Sequence, residues 1–350
     1  MSAAEGGGVF VLLCDTAARR SLPLRVNVGM QGAGQNPAVC FDRLNRLTIV
    51  WEQWGPSAAR VLVAQYAADG TMLAPTQCAA DDSTVNAQTP RLALNPDGQC
   101  AVVWLDYRRG SGAVFLQRFL PGLRKKQKNV LVAESDFVLQ TPVVSLDVNG
   151  RAACAWQAAM HDSFHVVLRV CDRNGRWLPA AIVDEGVGKA YASTPDIAAL
   201  PRGGSAVVWK DYRTGESDIY LQLMNAQGKK IGPNLRVNDD TTRRWQRLPK
   251  VVVSASVMLV VWEDYRNDPG NQIGDIYAQR LSAKGIVIGT NSKVNHGPEP
   301  SIQRFPAAAM NRAGSFAIVW DDNSTAASSL WLLTSFGGDH RDGRERQIVP

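Results

Sequence analysis

The chain has 350 residues, 45% of them hydrophobic, and carries 38 Lys and Arg against 32 Asp and Glu, a net charge of +6. That apolar content is enough for a large buried core and excludes a disordered chain, and the small basic excess is no polybasic nucleic-acid arm. No stretch of about 18 apolar residues occurs, which excludes a membrane-crossing helix.

The first patterned stretch, Gly8-Val9-Phe10-Val11-Leu12-Leu13-Cys14, has the apolar character of an export signal. No Lys or Arg precedes it, Glu5 does, and Leu13 stands where a small residue is wanted before the cysteine. Residues 9–13 are therefore read as a strand, with a second strand over 24–27.

From there the chain repeats. A tryptophan closes a short apolar run at Trp51, Trp104, Trp156, Trp209, Trp262 and Trp320. A proline stands 14 residues before five of them (Pro37, Pro90, Pro142, Pro195, Pro306), and Pro249 stands 13 before Trp262. Each unit reads as four strands. One follows the proline and ends in a turn such as Asn95-Pro96-Asp97-Gly98; the next carries the tryptophan, as in Ala101-Val102-Val103-Trp104. The third resembles Asp218-Ile219-Tyr220-Leu221-Gln222, and the fourth Leu235-Arg236-Val237-Asn238. Three links are short hairpins, and only the link to the next unit is long, so each unit is an antiparallel meander.

Fixed-period meanders predict an all-β, six-bladed β-propeller of four-stranded antiparallel blades over residues 31–350, with an extra strand pair in residues 1–30. The alternative is a seven-bladed ring with one incomplete blade. Helical repeats would need apolar residues at three-and-four spacing, which is absent.

The units Val207-Val208-Trp209-Lys210-Asp211-Tyr212-Arg213 and Val260-Val261-Trp262-Glu263-Asp264-Tyr265-Arg266, followed by Asp218-Ile219-Tyr220-Leu221-Gln222 and Asp275-Ile276-Tyr277-Ala278-Gln279-Arg280, resemble repeats of bacterial exported and cell-surface β-propeller proteins. The resemblance implies the fold and a location outside the cytoplasm. It implies no particular chemistry, because function resides in sites grafted onto folds.

The recurring pairs Asp106/Arg108, Asp211/Arg213 and Asp264/Arg266 suit bidentate turn-bracing ion pairs, since a catalytic group is needed only once. The repeated tryptophans are expected as wedges between blades. Ligand contact is expected where the repeat fails: at Trp54, at His161 and His165 in the third unit, and at Arg243, Arg244 and Trp245 in a long connecting loop. The six cysteines form no Cys-x-x-Cys pair and no His stands at metal spacing, so no metal site and no cofactor are indicated.

In a meander one face would collect basic residues such as Arg43, Arg46, Lys125 and Lys230. The other would collect acids such as Asp81, Asp184, Asp239 and Asp240. These features predict a non-enzymatic binding or scaffolding propeller whose crossover loops contact a protein, a glycan or a surface polymer, with nucleic acid an unsuited partner. The alternative is a sialidase-like glycoside hydrolase with its site at the central channel. The Asp-box pattern of such enzymes is missing, and no catalytic residue is assigned.

Overall fold

A computed structural model describes residues 7–14, 21–172, 174–185, 191–296, 301–323, 329–335 and 344–349. Its named elements are all strands. The N-terminal pair is β1 (Phe10–Val11) and β2 (Leu24–Arg25). Blade 1 comprises β3 (Gly34–Phe41), β4 (Leu47–Trp54), β5 (Ala59–Tyr66) and β6 (Met72–Cys78). Blade 2 comprises β7 (Ala87–Leu94), β8 (Cys100–Arg109) and β9 (Ser111–Leu120), with its outer strand broken into β10 (Arg124–Lys125) and β11 (Val130–Ala133). Blade 3 comprises β12 (Leu139–Leu146), β13 (Ala152–Met160), β14 (Ser163–Cys171) and β15 (Ala181–Ile182).

Blade 4 comprises β16 (Ser193–Ala199), β17 (Ser205–Asp211), β18 (Asp218–Met224) and β19 (Lys230–Arg236). Blade 5 comprises β20 (Gln246–Val253), β21 (Val257–Asp264), β22 (Asp275–Ser282) and β23 (Val287–Lys293). Blade 6 comprises β24 (Gln303–Met310), β25 (Phe316–Asp322), β26 (Ser329–Ser335) and β27 (Arg344–Val349). Each blade pairs its strands in chain order, and every register between them is antiparallel. The fold is a six-bladed β-propeller with an added N-terminal strand pair. Two compact units divide the chain, residues 1–154 with 171–177 and residues 155–170 with 178–350.

The prolines do not open the first strand of each blade. That strand begins two or three residues earlier, and the residue before the proline is left-handed in every blade: Asn36, Thr89, Thr141, Thr194, Leu248 and Phe305, with φ from 46° to 54°. A residue preceding proline is barred from the right-handed helical region. Here it takes the left-handed one, and the ladder register shifts across it, as between Arg247 and Lys250. The first strands of blades 1, 2, 4, 5 and 6 therefore carry a bulge at their entrance.

Within a blade the tryptophan strand is buried on both faces. Trp51, Trp104, Trp209, Trp262 and Trp320 have no exposed surface. Trp262 packs with Met258, Val260 and Val251 of its own blade against Ala206 and Val208 of blade 4. Trp104 likewise joins Val102 to Val50 and Val63 of blade 1. The wedge role expected of these residues is what the structure has.

The Asp-Tyr-Arg clusters finish that wedge. Trp262 Nε1 donates to Asp264 Oδ2 at 2.7 Å, Arg266 grips both oxygens of Asp264 at 3.0 and 2.8 Å, and its guanidinium lies 4.2 Å from the Tyr277 ring centroid. Arg266 also reaches Asn291, which closes on Gln279 at 2.6 Å. One buried carboxylate thus ties the second strand of the blade to its fourth. Blades 2 and 4 repeat the device with Asp106/Arg108 and Asp211/Arg213. Blade 1 substitutes Gln53, which accepts from Trp51 Nε1 at 3.2 Å, and blade 3 has Ala158 in the same place. We expect Asp264→Asn, which keeps an acceptor but not the charge, to cost about 1–3 kcal/mol in chemical unfolding, because Arg266 loses half of its bidentate partner.

The two charged faces expected from the sequence are mostly consumed by such structure. Asp184 and Asp240 are buried, Asp81 pairs with Lys125 at 3.1 Å, Asp239 pairs with Arg266 at 2.9 Å, and Arg46 pairs with Asp42 at 2.7 Å. The cysteines are free thiols, with Cys100, Cys154 and Cys171 buried. Burial pushes the Cys40 thiol up to about 11, well outside the range of a reactive thiolate.

Candidate functional site

The six residues expected to contact ligand do not form one site. Trp54 does not lie outside the repeat as the sequence suggested. It ends β4 at the position held by Tyr265 in blade 5, and its Nε1 donates to the buried Glu52 at 2.6 Å. His165 is also structural: its Nδ1 lies 2.8 Å from buried Asp184, whose other oxygen accepts from Val166 N. The same place in blades 4 and 5 is held by Asp218 with Asn238 and Asp275 with Asn295, so blade 3 has exchanged acid and partner. His161 sits at the tip of the hairpin between β13 and β14 with φ 54°. Arg243 is exposed with φ 55°, Arg244 is half-buried, and both lead directly into Trp245.

Trp245 is the residue around which a site is built. It precedes β20, and its carbonyl accepts from Tyr265 N at 3.0 Å, which extends the β20–β21 ladder by one residue. Its Nε1 donates to Glu216 Oε2 at 2.9 Å, on the second hairpin of blade 4, and its own N–H is received by Asn271 at 3.2 Å. Two residues on, Arg247 stands directly opposite Glu263 in the ladder. The Arg247 guanidinium lies 5.4 Å from the Trp245 ring centroid and 4.5 Å from that of Tyr265, and it donates to the Tyr265 hydroxyl.

Glu263 closes the group. Its Oε1 accepts from Phe305 N, the bulged residue of blade 6, at 2.8 Å. Its Oε2 lies 3.3 Å from the Tyr265 hydroxyl and 3.8 Å from Arg247 Nε. Only 2% of Glu263 is exposed. Burial pushes its carboxyl above the usual range, outweighing the downward pull of the Phe305 N–H and of Arg247. Burial and the Glu263 charge raise the Tyr265 hydroxyl as well.

Beside this lies Phe305, 64% exposed, and before it Arg304, opposite Asp321 in the blade 6 register. The Nε atoms of Arg247 and Arg304 are both buried without a hydrogen-bond acceptor. The group therefore offers two carboxylates, Glu216 and Glu263, joined through an indole and a guanidinium, together with two arginines and an exposed aromatic ring. Trp245 with Arg247 beside its ring suits an oligosaccharide, whose ring faces stack on aromatics and whose hydroxyls accept from guanidinium groups.

Sequence reasoning placed Trp245 here and missed Glu263, Arg247, Tyr265, Glu216, Arg304 and Phe305. A signal for Glu263 was present. The residue after the repeated tryptophan is Glu52, Leu105, Gln157, Lys210, Glu263 and Asp321 in turn, the most variable place of the run. Its variability reads as tolerance unless the bulge that it touches is known.

No family model matches the chain, and no curated protein matches it. Solved structures do. An alpha-L-arabinanase from Penicillium chrysogenum, complexed with arabinobiose, aligns at a TM-score of 0.57 and 12% identity over 97% of this chain and 99% of its own. The polysaccharide lyase Uly1 aligns at 0.59 and 9% identity over 95% and 91%. A protein of unknown function from Dyadobacter fermentans aligns at 0.57 and 11% identity over 85% and 94%. At these identities the likeness is one of fold. It nonetheless corrects the expectation of a non-enzymatic binding or scaffolding protein, because propellers matching nearly the whole chain include enzymes that cleave polysaccharides.

Proposed function

We propose that the chain is a polysaccharide-cleaving enzyme of the glycoside hydrolase type, with Glu263 as general acid and Glu216 as the second carboxylate. The observation that carries this reading is the buried Glu263 carboxyl, whose hold on its proton is raised by burial, beside Arg247 and Tyr265 at the edge of an aromatic surface. A glycosidase needs one carboxyl that keeps its proton near neutral pH and one that does not. Glu216 is half-exposed and accepts from the Trp245 indole N–H.

In this reading Trp245 and Phe305 carry sugar rings, and Arg247 and Arg304 hold their oxygens. Arg247, in contact with Glu263, is half-buried. Its buried Nε makes no hydrogen bond, which leaves it able to donate to a substrate oxygen. Glu263 then gives its proton to the glycosidic oxygen as the bond to the anomeric carbon breaks. A water attacks that carbon as Glu216 takes its proton; in a covalent route Glu216 bonds the anomeric carbon first, and the deprotonated Glu263 takes the proton of the water that displaces it. Similarity to arabinanase and lyase folds, together with the likeness of the repeats to exported bacterial propellers, supports a polymer substrate met outside the cytoplasm.

The test is incubation of the purified chain with a panel of neutral and uronate-containing polysaccharides, arabinan among them. Release of saturated reducing ends is expected from at least one. Products carrying a ring double bond would mean eliminative cleavage, and a panel with no cleavage would remove the enzyme reading.

A further inference from the structure

The ladder rung just before each left-handed residue carries a pattern of its own. The first-strand residue there is Gln35, Gln88, Gln140 and Ser193 in blades 1 to 4, but Arg247 and Arg304 in blades 5 and 6. Across the ladder stand Glu52 and Leu105 in blades 1 and 2, and Lys210, Glu263 and Asp321 in blades 4, 5 and 6. Blades 4, 5 and 6 therefore each hold one cation at this rung, whereas blades 1 and 2 hold none.

The two arginines are half-buried, and the Nε of each is buried without an acceptor. Most buried donors in folded proteins are paired, because an unpaired one loses its hydration for nothing in return. The aromatic rings of Trp245 and Tyr265, with centroids 5.4 and 4.5 Å from the Arg247 guanidinium, flank its fork. Arg247 and Arg304 both pull the Glu263 carboxyl downward, so both lie within electrostatic reach of it. Burial outweighs that pull and disfavours the very charge that would balance them. Asp321, opposite Arg304, is the other carboxylate of these two rungs. A sugar hydroxyl could accept from either arginine without balancing its charge. An anionic group would do both, in the planar geometry that a guanidinium fork matches.

We propose that the site takes an acidic polysaccharide, whose carboxylate or sulfate groups are seated on Arg247 and Arg304 while Lys210 meets a further negative group of the same polymer. This narrows the substrate class and rests on the reading of the group around Trp245 and Glu263 as a glycan site. Phe305, exposed and next in the chain to Arg304, offers a sugar ring its face beside the anion.

Calorimetric titration of the full chain with three probes tests this: an oligogalacturonate, which carries carboxylates, a sulfated galactan oligosaccharide, and an uncharged arabino-oligosaccharide. At least one acidic probe is expected to bind about tenfold or more tightly than the neutral one at low ionic strength, and the preference should shrink as salt is added. Whichever acidic probe binds identifies the group. Arg304→Gln gives blade 6 the residue that blades 1 to 3 hold at this place, so the fold should persist, and acidic binding should weaken by about tenfold. Neutral binding as tight as acidic, acidic binding indifferent to both salt and Arg304→Gln, or no binding of any probe would overturn the proposal. Cleavage confined to neutral polymers would refute the acidic substrate and keep the hydrolase, whereas tight acidic binding without cleavage would refute the hydrolase and keep the acidic ligand.

Discussion

Replacing Trp262 with alanine is expected to lower the free energy of unfolding by about 3–5 kcal/mol, the range for truncating a large buried aromatic. The indole has no exposed surface and fills the seam between blades 4 and 5 against Ala206, Val208 and Val251. Its removal opens a cavity there and strips Asp264 of one of its donors, Nε1 at 2.7 Å. Trp262→Phe separates the two effects, since it retains most of the volume and loses the donor. Urea unfolding of the three proteins decides the matter. A change below about 1 kcal/mol in the alanine variant would show that the seam can collapse and that the tryptophan is not its main support.

Glu263→Gln is expected to abolish most turnover on whichever polysaccharide the chain cleaves, by about 10²–10⁴-fold in kcat, the usual contribution of a positioned general acid. Glutamine can still accept from Phe305 N, so the blade 6 bulge that Glu263 braces at 2.8 Å should keep its shape. Glu52 provides the matched control. It braces the corresponding bulge of blade 2 through Thr89 N at 2.8 Å, and Glu52→Gln should leave kcat unchanged. Equal loss in both variants would mean that bracing, not proton transfer, is what activity needs.

The pH dependence has a fixed sign. The folded-state pKa of Glu263 is raised, so the native state holds its proton more tightly than the unfolded chain. Activity that needs the acid form falls as pH rises through the raised value. The stability linked to this group is fully present below the ordinary Glu range and is lost as pH rises through the folded-state pKa. Glu263→Gln should remove both dependences.

Repetition made the fold legible in the sequence. The tryptophan and proline spacing located every blade, and repetition also marked Asp106, Asp211 and Asp264 as scaffold. The same logic misled at the residues that depart from the pattern. His165 looked exceptional because blade 3 exchanges acid and partner across one hydrogen bond, an inversion that single-residue reading takes for novelty. Trp54 looked like an addition because the aromatic at that place is Tyr107, Tyr212 or Tyr265 elsewhere. Glu263 escaped notice because its significance depends on a left-handed residue in the next blade and on Arg247 across the ladder. Neither is encoded by any local motif.

Those left-handed residues have an implication for how such a chain diversifies. Asn36, Thr89, Thr194, Leu248 and Phe305 sit outside the ladder register, so the hydrogen bonds on either side do not depend on their side chains. An ordinary strand residue is judged by two neighbours and a core. A residue at the bulge answers mainly to the space in front of it, and the chain has settled there on asparagine, three threonines, leucine and phenylalanine. Copies of one ancestral blade could thus become unlike one another at this place first, acquiring asymmetry without renegotiating the sheet. The Phe305 position shows how far that drift has gone.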